Sequence, residues 1–132
     1  MNKQIIVNLP VRDLARAKEF YTALGYGFDA NFSNENAAMM IVLEGTIHVM
    51  LTTEAFFGSL IGKPVVRAKE ANEMVLCLTC ESREELESLV ARALAAGART
   101  PHPLEDHGFM VTQGFEDPDG HLWNLVWMAP KD

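Results

Sequence analysis

Positive charge is scarce in this chain. Eleven Lys and Arg stand against 18 Asp and Glu, a formal net charge of −7 at pH 7. Binding nucleic acid needs a cationic surplus to displace counterions from phosphate, so no nucleic-acid partner is expected. The acidic residues are scattered rather than clustered, which suits solubility better than capture of a cationic ligand. Long hydrophobic runs are missing too. Stretches such as Ala37 to Leu43 fall far short of the roughly 20 residues that cross a bilayer. The opening Met1 to Pro10 has neither a long apolar segment nor a small-residue cleavage site, so no membrane partner is expected and the predicted location is cytoplasmic.

Cysteine is nearly absent. The two present, Cys77 and Cys80, have the spacing of a redox or zinc pair but lie inside Met74 to Cys80, which has the composition of a buried strand. Strand residues three apart point to opposite faces, about 10 Å apart, too far for a disulfide. Each is therefore expected to be a small core or wall residue. Phosphate-binding signals are incomplete: Gly58 to Pro64 is one residue short of a phosphate loop and lacks its Ser or Thr. No Ser- or Cys-based triad can be assembled.

The chain does contain a repeat. Its 132 residues, 48% of them hydrophobic, suit a single domain, and two passages follow the same order of elements. In the first, an apolar strand over residues 4–9 leads into a helix capped by Asp13 and ended by Gly25, with Leu14, Ala17, Tyr21 and Leu24 on one side. Phe28 to Phe32 is predicted extended. Met39 to Leu43 and Thr46 to Leu51 form a hairpin around Glu44-Gly45, and Thr53 caps a short helix. After a polar linker from Gly62 to Asn72, a strand over 73–80 runs into the capping box Ser82-Arg83-Glu84-Glu85. The helix that follows carries a stripe of Leu86, Leu89, Val90, Ala93 and Leu94 and ends at Gly97. A short extended piece, Arg99 to His102, precedes a hairpin of Phe109 to Phe115 and Leu122 to Met128 across Asp117-Pro118-Asp119-Gly120. The two helix starts, Asp13 and Ser82, lie 69 residues apart.

The predicted fold is thus α+β: two βαβββ modules, about residues 1–61 and 73–132, forming a curved mixed sheet around a central cup. Each helix covers one face of its sheet, and the other face lines the cup. Strand alternation places Trp123, Leu125 and Trp127 beneath the second helix, and Asn124 in the cup. Pairing Glu116 with His121 across the last turn sets Gln113 opposite Asn124 and leaves His121 on the hairpin surface. In the first module His48, Met50 and Thr52 face inward opposite Met39 and Ile41, with Ile6 and Asn8 alongside. In the middle strand Glu73, Val75, Cys77 and Thr79 share a face. The candidate ligand-binding residues are therefore Asn8, His48, Met50, Glu73, Cys77, Gln113 and Asn124. A mostly apolar wall with a few polar points is the make-up of a small-molecule pocket. His48 is the one candidate for a catalytic proton carrier, with no partner that can be named.

Asn8-Leu9-Pro10-Val11-Arg12-Asp13-Leu14, Phe20-Tyr21-Thr22-Ala23-Leu24-Gly25 and Asp117-Pro118-Asp119-Gly120-His121-Leu122-Trp123-Asn124-Leu125, in that order, resemble the vicinal oxygen chelate superfamily: glyoxalase I, extradiol dioxygenases, fosfomycin-resistance enzymes and bleomycin-binding proteins. The likeness is strongest to its bacterial members similar to lactoylglutathione lyase, covers nearly the whole chain and implies a homodimer. It leaves open whether modules pair within or between chains. Metal-dependent members place His, Glu or Gln ligands at positions that fall here on Ile6, Met50, Val75 and Asn124, a set that holds a divalent metal poorly. No metal cofactor is therefore expected, and a metal-free protein binding a small organic molecule is the leading expectation. Two alternatives stay open. One is a metal-dependent glyoxalase-like lyase or isomerase, or a dioxygenase, with Zn, Ni or Fe on atypical ligands such as His102, Glu105, Asp106 and His107. The other is a non-catalytic regulatory or structural module.

Overall fold

Strand pairing in the computed structural model, which describes residues 3–130, repeats itself. The first four strands are β1 (Ile5–Val11), β2 (Gly27–Asp29), β3 (Ala37–Leu43) and β4 (Ile47–Thr53); the second four are β5 (Val75–Thr79), β6 (Glu105–Asp106), β7 (Met110–Glu116) and β8 (Leu122–Met128). They form two sheets of order β1-β4-β3-β2 and β5-β8-β7-β6. In each, the first and last strands of the module pair in parallel and the remaining neighbours are antiparallel. The helices are α1 (Leu14–Ala23), α2 (Glu54–Ile61) and α3 (Arg83–Ala95). By its contacts the chain divides into two compact units, Met1–Arg67 and Ala68–Asp132. The expected α+β class and both βαβββ modules are observed.

Local signals set the element ends. Asp13 accepts from the Arg16 N–H at 3.1 Å, Thr53 from Phe56 at 3.2 Å and Ser82 from Glu85 at 3.0 Å, each satisfying a donor left over at a helix start. The Glu85 carboxylate reaches back to the Glu81 N–H at 3.1 Å, one residue before the cap itself. Gly25 and Gly97 follow α1 and α3 with φ of 105° and 109°, which only glycine adopts without strain. Ala17, Phe20 and Tyr21 are the buried residues of α1, and Phe20 meets Tyr21 edge to face at 4.9 Å. The core of the first unit lies between that helix and one face of its sheet, where Ala38, Met40, Val49 and Leu51 have almost no exposure. Lys18 of α1 sits 5.8 Å from the Phe28 ring centroid, and Phe28 pairs with Met40, which marks the same face. In the second unit Leu86, Leu89, Val90 and Ala93 of α3 are buried with Val111, Phe115, Trp123 and Leu125. Each fully buried aliphatic side chain there contributes about 1.5–3 kcal/mol.

Several expectations are corrected. Residues beyond Asp29 turn rather than extend: Ala30–Phe32 is a 3₁₀ turn, because the Asp29 carboxylate accepts from Asn31 at 2.9 Å and its carbonyl from the Ser33 hydroxyl at 2.7 Å. Leu94 lies outside the buried stripe, at the exposed margin of α3. Arg99 makes only an isolated bridge to Glu116, and the ladder strand beside β7 is Glu105–Asp106. The last hairpin is shifted by one residue. Glu116 pairs with Leu122, and Asp117 rather than Glu116 closes on His121, whose carbonyl accepts the Asp117 N–H at 2.9 Å. The Asp117 carboxylate accepts from Asp119 at 2.9 Å and from His121 at 2.8 Å, which fixes the longer loop. His121 is accordingly buried, not on the surface.

Candidate functional site

Strand register settles which side chains share a face, because residues directly opposite in neighbouring strands project together. In the first unit, on the face away from α1, one row runs Ile6–His48–Ile41 and the next Asn8–Met50–Met39, followed by Pro10–Thr52–Ala37. In the second unit, away from α3, the rows are Val75–Leu122–Glu116, Cys77–Asn124–Gly114 and Thr79–Val126–Thr112. Advancing Ile6 and Asn8 by the 69-residue offset of the helix caps gives Val75 and Cys77. The two sets of rows are thus structural counterparts: Met50 answers to Asn124, Met39 to Gly114, and His48 to Leu122.

Four of the seven candidates from the sequence fall in counterpart rows. Asn8 and Met50 share a row in the first unit, Cys77 and Asn124 in the second. His48 lies in the row beside Asn8 and Met50. The other two are displaced. Gln113 pairs with Leu125, not Asn124, so it shares the α3 side with Val111 and Phe115, the latter stacked on Trp123 at 6.2 Å. A one-residue register shift moves every side chain of a strand to the other face. Glu73 precedes β5 and is exposed. Its segment is pinned elsewhere, with the Asn72 amide donating to the Gly120 carbonyl at 3.0 Å.

No sequence motif marks Gly114, which shares the row of Cys77 and Asn124. A β-carbon there would lie 3.1 Å from the Trp123 carbonyl oxygen and 3.9 Å from Asn124 Oδ1, so glycine keeps the space beside Asn124 open. Thr52, fully buried on the face away from α1, donates its hydroxyl to the Leu9 carbonyl at 3.4 Å. Asn8 donates to the Ile6 carbonyl at 3.4 Å. His48 is only 8% exposed, and its Nδ1 is buried with no hydrogen-bond partner among the described residues.

The two thiols differ sharply. Cys77 is exposed and Cys80 buried, and both are free. Burial, reinforced by the negative Glu85, pushes the Cys80 thiol up to about 11. Around β6 the polar groups engage one another. Arg83 bridges Glu87 at 3.1 Å and Asp106 at 2.8 Å, and His107 meets Glu105 at 3.2 Å. The Gly108 N–H, donated at 2.8 Å, and the Arg83 guanidinium hold the Asp106 carboxyl below its usual range. Among the described residues no three His, Cys, Asp or Glu side chains converge as a metal site would require, the His102, Glu105, Asp106 and His107 segment included.

The sequence profile of the Glyoxalase/Bleomycin resistance protein/Dioxygenase superfamily matches residues 4–125. The chain belongs to that superfamily. Among solved structures it is similar to hypothetical protein SA1046 from S. aureus, with 25% identity and a TM-score of 0.80 over 96% of this chain and 95% of that one. It also resembles a glyoxalase-related enzyme from Fulvimarina pelagi, at 19% identity and TM-score 0.79 over 96% and 88%. A bleomycin-binding protein complexed with bleomycin matches at 20% identity and TM-score 0.65, over 97% of this chain and 100% of that one. No curated protein matches in sequence. Among the described residues no helix is long and apolar enough to cross a membrane.

The positions at which metal-dependent relatives are expected to carry ligands fall here on Ile6 and Met50 and on their counterparts Val75 and Asn124. Ile6 and Val75 are 43% and 52% exposed and offer no donor atom. What is left is one thioether in the first unit and one neutral amide in the second, each a poor ligand for hard or borderline divalent metals. The residues present do not fit the metal.

Proposed function

We propose that this chain is a cytoplasmic, homodimeric protein that binds a small organic molecule without a metal ion. The reading rests on residue chemistry: at the positions where the family resemblance puts ligands in metal-dependent members, this chain has Ile6 and Met50 in the first unit and Val75 and Asn124 in the second. Fold kinship with a protein solved in complex with bleomycin supports binding as the activity. In the first unit Asn8, His48 and Met50 give polar and polarisable points among Ile6, Met39 and Ile41 on the face away from α1; in the second, Cys77 and Asn124 lie among Val75 and Val126 on the face away from α3. An apolar wall gives affinity and a few polar groups give orientation.

Elemental analysis and native mass spectrometry of protein purified without chelator test this together. The expected result is well below one equivalent of Zn, Ni, Fe or Mn, with an organic adduct or ligand-induced thermal shift. Stoichiometric metal that is lost on substituting Met50 or Asn124 would instead establish a metal-dependent lyase, isomerase or dioxygenase. The dimer is checked by light scattering on the same sample.

A further inference from the structure

His48 breaks the duplication. Its counterpart in the second module is Leu122, so the backbone at this position accepts an aliphatic side chain and needs no imidazole to hold its sheet. The imidazole is nevertheless present, between Ile6 and Ile41 in its row and next to the row of Asn8, Met50 and Met39. It is 8% exposed, and its Nδ1 is buried without a partner among the described residues. Leaving a buried polar atom unpaired is unfavourable, and native structures rarely do so without a reason such as a bound group. We propose that His48 Nδ1 is the polar anchor of the binding face, and that its ligand is a neutral ring compound carrying a single hydroxyl. This deepens the small-molecule reading above and rests on it.

Three features select that ligand class. Depending on the tautomer, Nδ1 donates or accepts, and one hydroxyl answers it in either sense. Met39 and Met50 lie in the adjoining row, and thioether sulfur packs favourably against aromatic rings. Met50 is half-buried, and its three rotatable bonds let it turn aside to admit a ring to the imidazole. Asp29, opposite Met39, is the charged side chain of these rows, and no Lys or Arg lies in them, so nothing there would neutralise an anionic ligand. The Asp29 carboxylate, at the far edge opposite Met39, is engaged by the Asn31 N–H at 2.9 Å.

The test uses the full chain and a matched pair of probes, 2-naphthol and 2-methylnaphthalene, which differ by hydroxyl against methyl. Calorimetry on the wild type should show 2-naphthol binding about tenfold more tightly, the scale of one hydrogen bond to an otherwise unpaired buried group. His48→Phe should erase that preference while still binding 2-methylnaphthalene. Should His48→Phe fail to fold, a change in the Nδ1 chemical shift of ¹⁵N-histidine-labelled wild type with 2-naphthol, absent with 2-methylnaphthalene, gives the same support. Equal affinity for the two probes would overturn the anchor while leaving small-molecule binding intact, and so would a preference that survives His48→Phe. Binding of neither probe would overturn the ligand class. Stoichiometric metal in the purified protein would sink the parent reading separately.

Discussion

Burial separates the two cysteines more than sequence spacing suggests. Cys77 lies in β5 and Cys80 one residue past its end, and only Cys80 turns into the protein. Its thiol, raised to about 11 by burial and by Glu85, stays protonated at neutral pH. Thiolate is the reactive form. Brief iodoacetamide treatment at pH 7.5, read by peptide mass spectrometry, should therefore label Cys77 at least about tenfold faster than Cys80. Equal labelling in native buffer would contradict the burial of Cys80. That Asn8 shares a sheet face with Ile6, and His48 with Met50, is legible in the sequence because β1 and β4 are regular and their alternation runs unbroken. That the His48 Nδ1 lacks a partner could not be read from sequence, since it depends on every neighbour at once.

Turns decide what alternation alone leaves open at the level of the element. Residues 122–128 were recognisable as a strand, and their Trp side was correctly placed against α3. The pairing of β7 with it was off by one, because Asp117 spends its carboxylate on two backbone N–H groups and lengthens the loop by closing on His121. That single residue exchanged Gln113 for Gly114 opposite Asn124. The same turn is pressed from outside. Gly120 has φ of 92°, and a β-carbon on it would lie 2.4 Å from the Lys69 backbone nitrogen. Gly120→Ala should therefore destabilise the protein by at least about 2 kcal/mol, combining left-handed strain with a backbone clash. Urea denaturation followed by tryptophan fluorescence measures it, and a change under about 0.5 kcal/mol, the effect of an ordinary surface substitution, would show that residues 68–72 do not hold the turn. At the start of α3, Ser82→Ala removes the hydroxyl that accepts the Glu85 N–H and should cost about 1 kcal/mol in the same assay. The Ser82→Asp variant should retain most of that stability, because a carboxylate caps a helix start about as well as a hydroxyl.

Whether the whole molecule depends on metal is a question of linkage. A resident ion at about 100 times its dissociation constant would contribute about 2.7 kcal/mol of folded-state stability. For a chain of this size its removal would lower Tm by several degrees. With no adequate donor set at Ile6, Met50, Val75 and Asn124, dialysis against EDTA should leave Tm within about one degree of its starting value. A drop of about five degrees or more, restored by one equivalent of Zn or Ni, would show that ligands come from elsewhere in the chain.

By itself, the sequence determined the duplicated order of strands and helices, the helix caps at Asp13, Thr53 and Ser82, and membership of the family, because each of these is written in short-range spacing. It also placed uncharged side chains at the expected ligand positions, where chemistry follows from residue type alone. Only the tertiary structure decided the register of the last hairpin, the position of Gly114 beside Asn124, the burial of His121 and the unpaired nitrogen of His48. Those depend on contacts between residues distant in the chain, where one hydrogen bond in a turn can exchange the two faces of a strand.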